Sequence, residues 1–186
     1  MKTLETERLR LRAWNTDDAE DMFAYASSPI VGPNAGWEPH ASIDITKEYL
    51  EQTIKDDDTW AIVLKETSHV IGSVGMHVTR VGSVREIGYV MHPDHWGNGY
   101  MTEAVQAVLR YAFEELGLSG VRVRYYPFNT RSKSVILRCG FRYDGTLRME
   151  TQRYDGVVLD ACVYSMTREE WACGASKHPV KETEQP

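Results

Sequence analysis

Residues 86–113, EIGYVMHPDHWGNGYMTEAVQAVLRYAF, join a strand-like run to a strongly periodic helix through two glycines, Gly97 and Gly99. The second half places Met101, Ala104, Val105, Val108, Leu109, Ala112, Phe113 and then Leu116 at i, i+3, i+4 spacing, and Gly117 supplies a C-terminal cap. Glycine at the entrance of so good a helix costs backbone entropy. One reading is a tight strand-to-helix turn. The other is a loop whose bare amides, at the positive end of the helix dipole, receive an anion such as phosphate. The two glycines alone leave both open.

Known phosphate loops narrow the choice. A dinucleotide fingerprint needs a third glycine three residues on, where Thr102 stands, and no Gly-Lys-Ser/Thr follows to make a P-loop. Asp94 precedes the loop and does not lie in the position of a ribose-binding acid. No Gly-x-Ser-x-Gly elbow exists, which excludes a serine hydrolase of that type.

Upstream, ERLRLRAW (7–14) alternates like a half-buried strand, its arginines reading as a solvated face. Asn15 or Thr16 caps a helix rich in early acids. Residues 28–41, with three prolines and two glycines, form a long loop, and 43–57 form a helix on which Ile43, Tyr49, Leu50 and Ile54 share a face. WAIVLK (60–65) and HVIGSVGMHV (69–78) make an antiparallel hairpin, and VREIGYVM (84–91) a third strand. Downstream come a strand at 121–126, a short helix at 129–139 ending at Gly140, and two strands joined at RYDG (153–156). The order describes a mixed α+β sheet, not a doubly wound one.

The chain of 186 residues suits a single domain at 1–174, with a polar tail at 175–186 expected to be disordered. A net charge of −6 argues against a nucleic-acid binder. No apolar run approaches the length of a membrane span and no secretory signal opens the chain, so a cytoplasmic protein is expected. Cys139, Cys162 and Cys173 are too scattered for a disulfide framework or zinc site, and Cys139 and Cys162 are expected as buried thiols.

The segment from Glu86 to Phe141, through GNGYMTEA and NTRSKSVILRCGF, resembles the core of the GNAT N-acetyltransferases. More narrowly it resembles the branch that contains the ribosomal-protein alanine acetyltransferases. The opening LETERLRLRAWNTDDAEDMF is similar to that branch as well, and the likeness runs from Leu4 to Met166. It implies a mostly antiparallel central sheet with a splayed parallel strand pair and flanking helices. It also implies acetyl-CoA as cosubstrate, an amine as acceptor, and no metal. The pyrophosphate would lie on the backbone amides of Trp96, Gly97, Asn98, Gly99, Tyr100, Met101 and Thr102. Met101 departs from the small residue usual there, and Trp96 from the general family's Gln or Arg. The pantetheine arm would pair with the backbone of Tyr89, Val90 and Met91 as an added strand, with Asn129 a polar contact.

Acetyl transfer to an amine needs a base more than an acid, because a thiolate already leaves well. The resemblance makes Glu86 the base; the competing reading is a strand glutamate paired with Arg85 or Arg124. A backbone amide near Val90 or Met91 would polarise the carbonyl. The tyrosine acid of many relatives is replaced by Ile136, and Ser132 stands in, against a reading as a helix-capping hydroxyl; Ser134 is a weaker rival. Glu103 reads as structural, His92 and His95 as loop histidines without a third ligand, and Trp37 and His40 as acceptor contacts. The branch resemblance implies a protein N-terminal amine as acceptor; a small amine (polyamine, amino acid or amino sugar) stands equally open, and the alternative class is a non-catalytic acyl-CoA sensor. The C-terminal hairpin offers a surface for a homodimer.

Overall fold

The computed structural model describes residues 1–174; the tail expected to be disordered lies outside them. A short strand β1 (Leu4–Glu5) and β2 (Leu9–Arg12) form a hairpin, whose apolar residues Leu4, Leu9 and Leu11 point into the core. Asn15 caps a short 3-10 turn that runs into α1 (Ala19–Ala26). The long loop holds one helical turn, α2 (Gly32–Ala35), before α3 (Ile43–Asp56), capped by Ser42. Then come β3 (Thr59–Leu64), β4 (Val70–Val78) and β5 (Val84–Met91), followed by α4 (Tyr100–Arg110) and β6 (Gly120–Tyr125). The described residues continue with α5 (Thr130–Arg138), β7 (Arg142–Gln152), β8 (Val158–Thr167) and α6 (Arg168–Ala172).

The eight strands form one sheet in the order β1-β2-β3-β4-β5-β6-β8-β7. Every neighbouring pair is antiparallel except β5 and β6, which α4 joins as a parallel pair. Residues Met101, Ala104, Val105, Val108 and Leu109 of α4 are all buried against one face of the sheet, with Ile62, Val74 and Ile87 beneath. The other face is covered by α1 and α3, through Met22, Tyr25, Ala26 and Leu50 over Ala61 and Val63. Burying two apolar faces at about 25 cal/mol per Å² is what holds these layers together.

Four expectations need correction. The helix from Tyr100 does not stay α-helical: Tyr111–Glu115 is a π turn, with the Leu116 amide donating to the Tyr111 carbonyl at 3.0 Å. The extra residue per turn breaks the 3.6 period, so Leu116 is exposed and Leu118 is buried in its place. On α3 only Leu50 of the four expected apolar residues is fully buried. Cys162 is half-buried: it lies on the face of β8 that carries Asp160, which is less covered here than the face of Leu159, Ala161 and Val163. Cys139 is buried, which pushes its thiol up to about 12. Of the arginines read as a solvated face, Arg8 and Arg10 are exposed, but Arg12 is not: it forms a two-pronged pair with buried Asp18, at 2.7 Å on both prongs.

Candidate active site

β5 and β6 stay together only from Val84↔Gly120 to Ile87↔Val123. Beyond that point β5 continues to Met91 on β4 alone, so its far edge is open. The Met76 amide donates away from β5, to the Asp58 carbonyl, and Met76 faces Ile87 in the ladder. Antiparallel pairing therefore turns the backbone of Gly88 and Val90 toward β4, and that of Tyr89 and Met91 toward the gap. The Val90 carbonyl confirms this, lying 2.4 Å from where a Cβ on Gly72 of β4 would stand. Val90 therefore cannot offer its backbone to a ligand in the gap; Tyr89 and Met91 can.

A cavity of about 930 Å³ fills the gap, running from the start of α4 through the splay to the loop at α2. At one end Gly97 and Gly99 take φ of +82° and +79°. This left-handed backbone is where glycine is favoured. A Cβ on Gly97 would meet nothing within 4 Å, so backbone angle and not crowding explains the residue. None of the backbone amides from Gly97 to Thr102 donates to an acceptor among the described residues. Met101 turns into the core, only 7% exposed, so its bulk does not obstruct the loop. Trp96 braces the strand edge: its indole donates to the Met91 carbonyl at 2.9 Å, and the Arg131 guanidinium lies 4.5 Å above its ring. Thus the Met91 carbonyl is already used, and its amide is the group left for a ligand.

The loop is held from behind by the first hairpin. Arg8 donates to the Asn98 carbonyl at 3.0 Å and to Glu103 at 2.7 Å, and stacks 4.5 Å over Tyr100. Burial would raise the Glu103 carboxyl; the Thr6 hydroxyl and the Arg8 amide and guanidinium outweigh it and hold the group below its ordinary value. Glu103 is structural, as expected, but Arg8 is not idle.

Asn129 caps α5, accepting from the Ser132 amide at 3.1 Å, while its Nδ2 donates to the Asn34 carbonyl at 3.1 Å. Both ends of its amide are engaged within the protein. Because Asn129 is the cap, the Ser132 hydroxyl is free for other work. It lies 3.0 Å from the Tyr89 hydroxyl, which is also 3.1 Å from the Ser132 carbonyl. Burial raises the Tyr89 phenol well above its ordinary value, partly offset by Ser132. The Tyr89 side chain is a site feature that sequence reading missed, having counted only its backbone. Ser134 bonds back to the Thr130 carbonyl at 3.0 Å, as a helix-surface serine does.

On the opposite face Glu86 accepts from Arg124 Nε at 2.6 Å, and Arg124 reaches Glu150 at 2.8 Å. The pairing with Arg124 is present, and Glu86 also lines the cavity. Arg85 turns away to the Gly82 carbonyl. Trp37 and His40 line the same end, with ring centroids 5.4 Å apart and Tyr49 5.5 Å from His40. Trp14 Nε1, also at the cavity, is buried without a partner among the described residues. His92 and His95 pack edge-on at 5.8 Å, and His92 Nδ1 accepts from the Asp94 amide. No cluster of three or more metal-ligating side chains occurs among the described residues.

Comparison with known proteins gives this geometry a context. Residues 8–142 match the family profile described as Acetyltransferase (GNAT) domain. The Bacillus licheniformis protein named uncharacterized N-acetyltransferase p20 is 32% identical over 179 residues, covering 92% of this chain and 99% of its own. A solved GNAT-family acetyltransferase from Bacillus anthracis superposes with a TM-score of 0.82 at 24% identity, over 91% of this chain and 100% of its own. The ribosomal-protein-S5-alanine acetyltransferase of Vibrio fischeri superposes with a TM-score of 0.74 at 23% identity, over 92% of this chain and 99% of its own. At these identities the structural likenesses establish the fold alone.

Proposed function

The chain belongs to the GNAT acetyltransferase family, and from that premise we propose that it moves the acetyl group of acetyl-CoA onto a primary amine, a protein N-terminal amine first among candidates. The observation that carries the reading is the open β5 edge beyond Ile87, leading from the amides of Gly97–Thr102 to the acceptor face. The pyrophosphate rests on those amides, where the helix dipole favours negative charge. The pantetheine arm adds to the edge at Tyr89 and Met91. The Met91 amide then donates to the thioester oxygen as negative charge develops on it.

Glu86 takes a proton from the attacking nitrogen. Arg124 occupies one oxygen and leaves the other for the amine. Ser132, backed by Tyr89, returns a proton to the departing thiolate. Because that thiolate is a fair leaving group, Ser132→Ala is expected to lower kcat by only about tenfold, with the acetyl-CoA KM little changed. Stopped-flow release of free CoA measures it, and an unchanged rate would reduce Ser132 to part of the groove wall.

The N-terminal acceptor rests on the sequence resemblance of the Glu86–Phe141 segment to the ribosomal-protein acetyltransferase branch. A small amine is the second reading, favoured by the way the 28–41 loop is tied down. Asn129 donates to the Asn34 carbonyl, and Arg153 to that of Pro33 at 3.4 Å. Among the described residues no helix is long and apolar enough to cross a membrane, and a cytoplasmic site of action fits both acceptors. The deciding experiment offers acetyl-CoA with ribosomal-protein N-terminal peptides, polyamines, amino acids and aminoglycosides, and reads products by mass spectrometry. An acetylated peptide supports the first reading and acetylation of small amines alone the second. Binding of acetyl-CoA without any acetylated product would make the chain a sensor.

A further inference from the structure

His77 of β4 stands directly opposite Glu86 of β5 in the ladder. Their side chains therefore share one face of the sheet, and both line the cavity. The imidazole Nδ1 lies 2.7 Å from Asp58 Oδ2. Asp58 is itself fixed: its Oδ1 accepts from the Thr59 hydroxyl at 2.8 Å, and its carbonyl from the Met76 amide at 2.8 Å. A carboxylate at Nδ1 selects the tautomer with hydrogen there and leaves the Nε2 lone pair free. Nε2 sits over the next rung of the ladder, Gly75↔Gly88: a Cβ on Gly75 would stand 2.5 Å from it, and one on Gly88 3.9 Å. Two glycines on one rung leave a bare patch of sheet between His77 and the open edge at Tyr89.

We infer, resting on the reading of the chain as an amine acetyltransferase, that the Asp58–His77 pair is a second proton-accepting element of the site and takes the proton that turns the incoming ammonium into a nucleophile. An amine arrives at neutral pH as an ammonium and must lose two protons to become an amide. His77 Nε2 takes the first. The freed lone pair forms the C–N bond as the C–S bond of the thioester breaks. The nitrogen, now positively charged beside a carbonyl, is strongly acidic and gives the second proton to Glu86. One proton reaches the thiolate sulfur through Ser132 and the other leaves to water, so the count closes. The division follows position. Glu86 already accepts from Arg124 Nε on one oxygen at 2.6 Å and takes the proton released beside the carbonyl. His77 presents Nε2 over the bare Gly75–Gly88 rung and meets the ammonium first.

The charged and titratable groups around His77 are Asp58 before β3, Glu86 across the ladder, and Arg124 and Glu150 beyond it; the charges of Asp58 and Asp56 also reach Tyr49 of α3. His77 acts on substrate directly, and Asp58 is a positioning residue. The test compares wild type, His77→Gln and Asp58→Asn by kcat/KM against pH, with acetyl-CoA affinity by calorimetry. The His77 side chain is about half exposed (49%), so the glutamine variant keeps the fold, and its melting temperature checks this. With an N-terminal peptide, whose α-amine is about one-tenth neutral at about pH 7, His77→Gln is expected to lose about tenfold near neutral pH and to regain that loss by about pH 8–9, as the acceptor deprotonates unaided. Added imidazole restores part of the loss, and acetyl-CoA affinity stays at the wild-type value. Asp58→Asn shows a smaller loss with the same alkaline recovery. A His77→Gln rate within about threefold of wild type, or a loss equal at every pH, overturns the inference. A wild type that binds acetyl-CoA and acetylates no amine overturns the proposed function, and this inference with it.

Discussion

Glu86→Gln is expected to lower kcat by about two orders of magnitude, the usual cost of removing a general base, and to leave the acetyl-CoA dissociation constant almost unchanged, if Glu86 acts as proposed. The substitution keeps the shape and the hydrogen-bond acceptor for Arg124, which also retains Glu150. What it removes is the charge and the proton affinity. Binding should survive because the proposed donor contacts fall on Tyr89, Met91 and the amides of the glycine loop, while the Glu86 side chain projects from the other face of β5. The deficit should also persist at alkaline pH, because the proton that Glu86 receives becomes acidic only after the C–N bond has formed. Steady-state release of free CoA, with calorimetric titration of acetyl-CoA, measures both quantities. A variant within a few-fold of wild type would remove Glu86 from the chemistry and leave it as half of an ion pair.

The largest effect on stability falls far from that face. Trp60 is 2% exposed, donates its indole N–H to the Lys2 carbonyl at 2.7 Å, and meets Tyr111 edge-on at 5.9 Å. Trp60→Ala opens a large cavity and strands that carbonyl, at a cost of about 3–5 kcal/mol. For a chain of this size the melting temperature should fall by about 10 °C. Tyr111 lies at the end of α4 remote from the glycine loop, so the variant should still gain thermal stability from acetyl-CoA by mass action. A melting temperature within about 2 °C of wild type would show that the site has repacked around the missing ring.

The parts of this molecule that sequence made legible are those governed by short-range pattern. The helix from Tyr100 and the 60–78 hairpin follow from periodicity and local turn chemistry over a few residues. The glycine loop was legible because Gly97 and Gly99 carry a backbone angle that other residues resist. What stayed hidden depends on pairs distant in the chain. Arg8 looks like one arginine of an alternating strand, and nothing local says that it closes on Asn98 and Glu103, 90 and 95 residues away. Asp58 and His77 are 19 residues apart, and only the β3–β4 hairpin brings them together. The Tyr89 hydroxyl meets Ser132 only because β5 and α5 flank the same gap. The π turn at Tyr111 was illegible for another reason: a single extra residue per turn leaves the periodic pattern intact up to the point where it fails.

The strand order has a consequence for how this protein is made. β6 leaves β5 after Val123, so its outer end, Arg124 and Tyr125, is held in place by Val163 and Cys162 of β8. During vectorial synthesis the glycine loop and its clamp on Arg8 emerge early, but the second wall of the groove has no support until β8 leaves the ribosome. A nascent chain stalled before β8 holds the glycine loop without a complete groove. If acetyl-CoA binds as proposed, it is expected to offer that chain little protection against unfolding or proteolysis. It would favour only a chain whose late strand has already docked, so thermal protection by acetyl-CoA would report on completed folding as well as on binding.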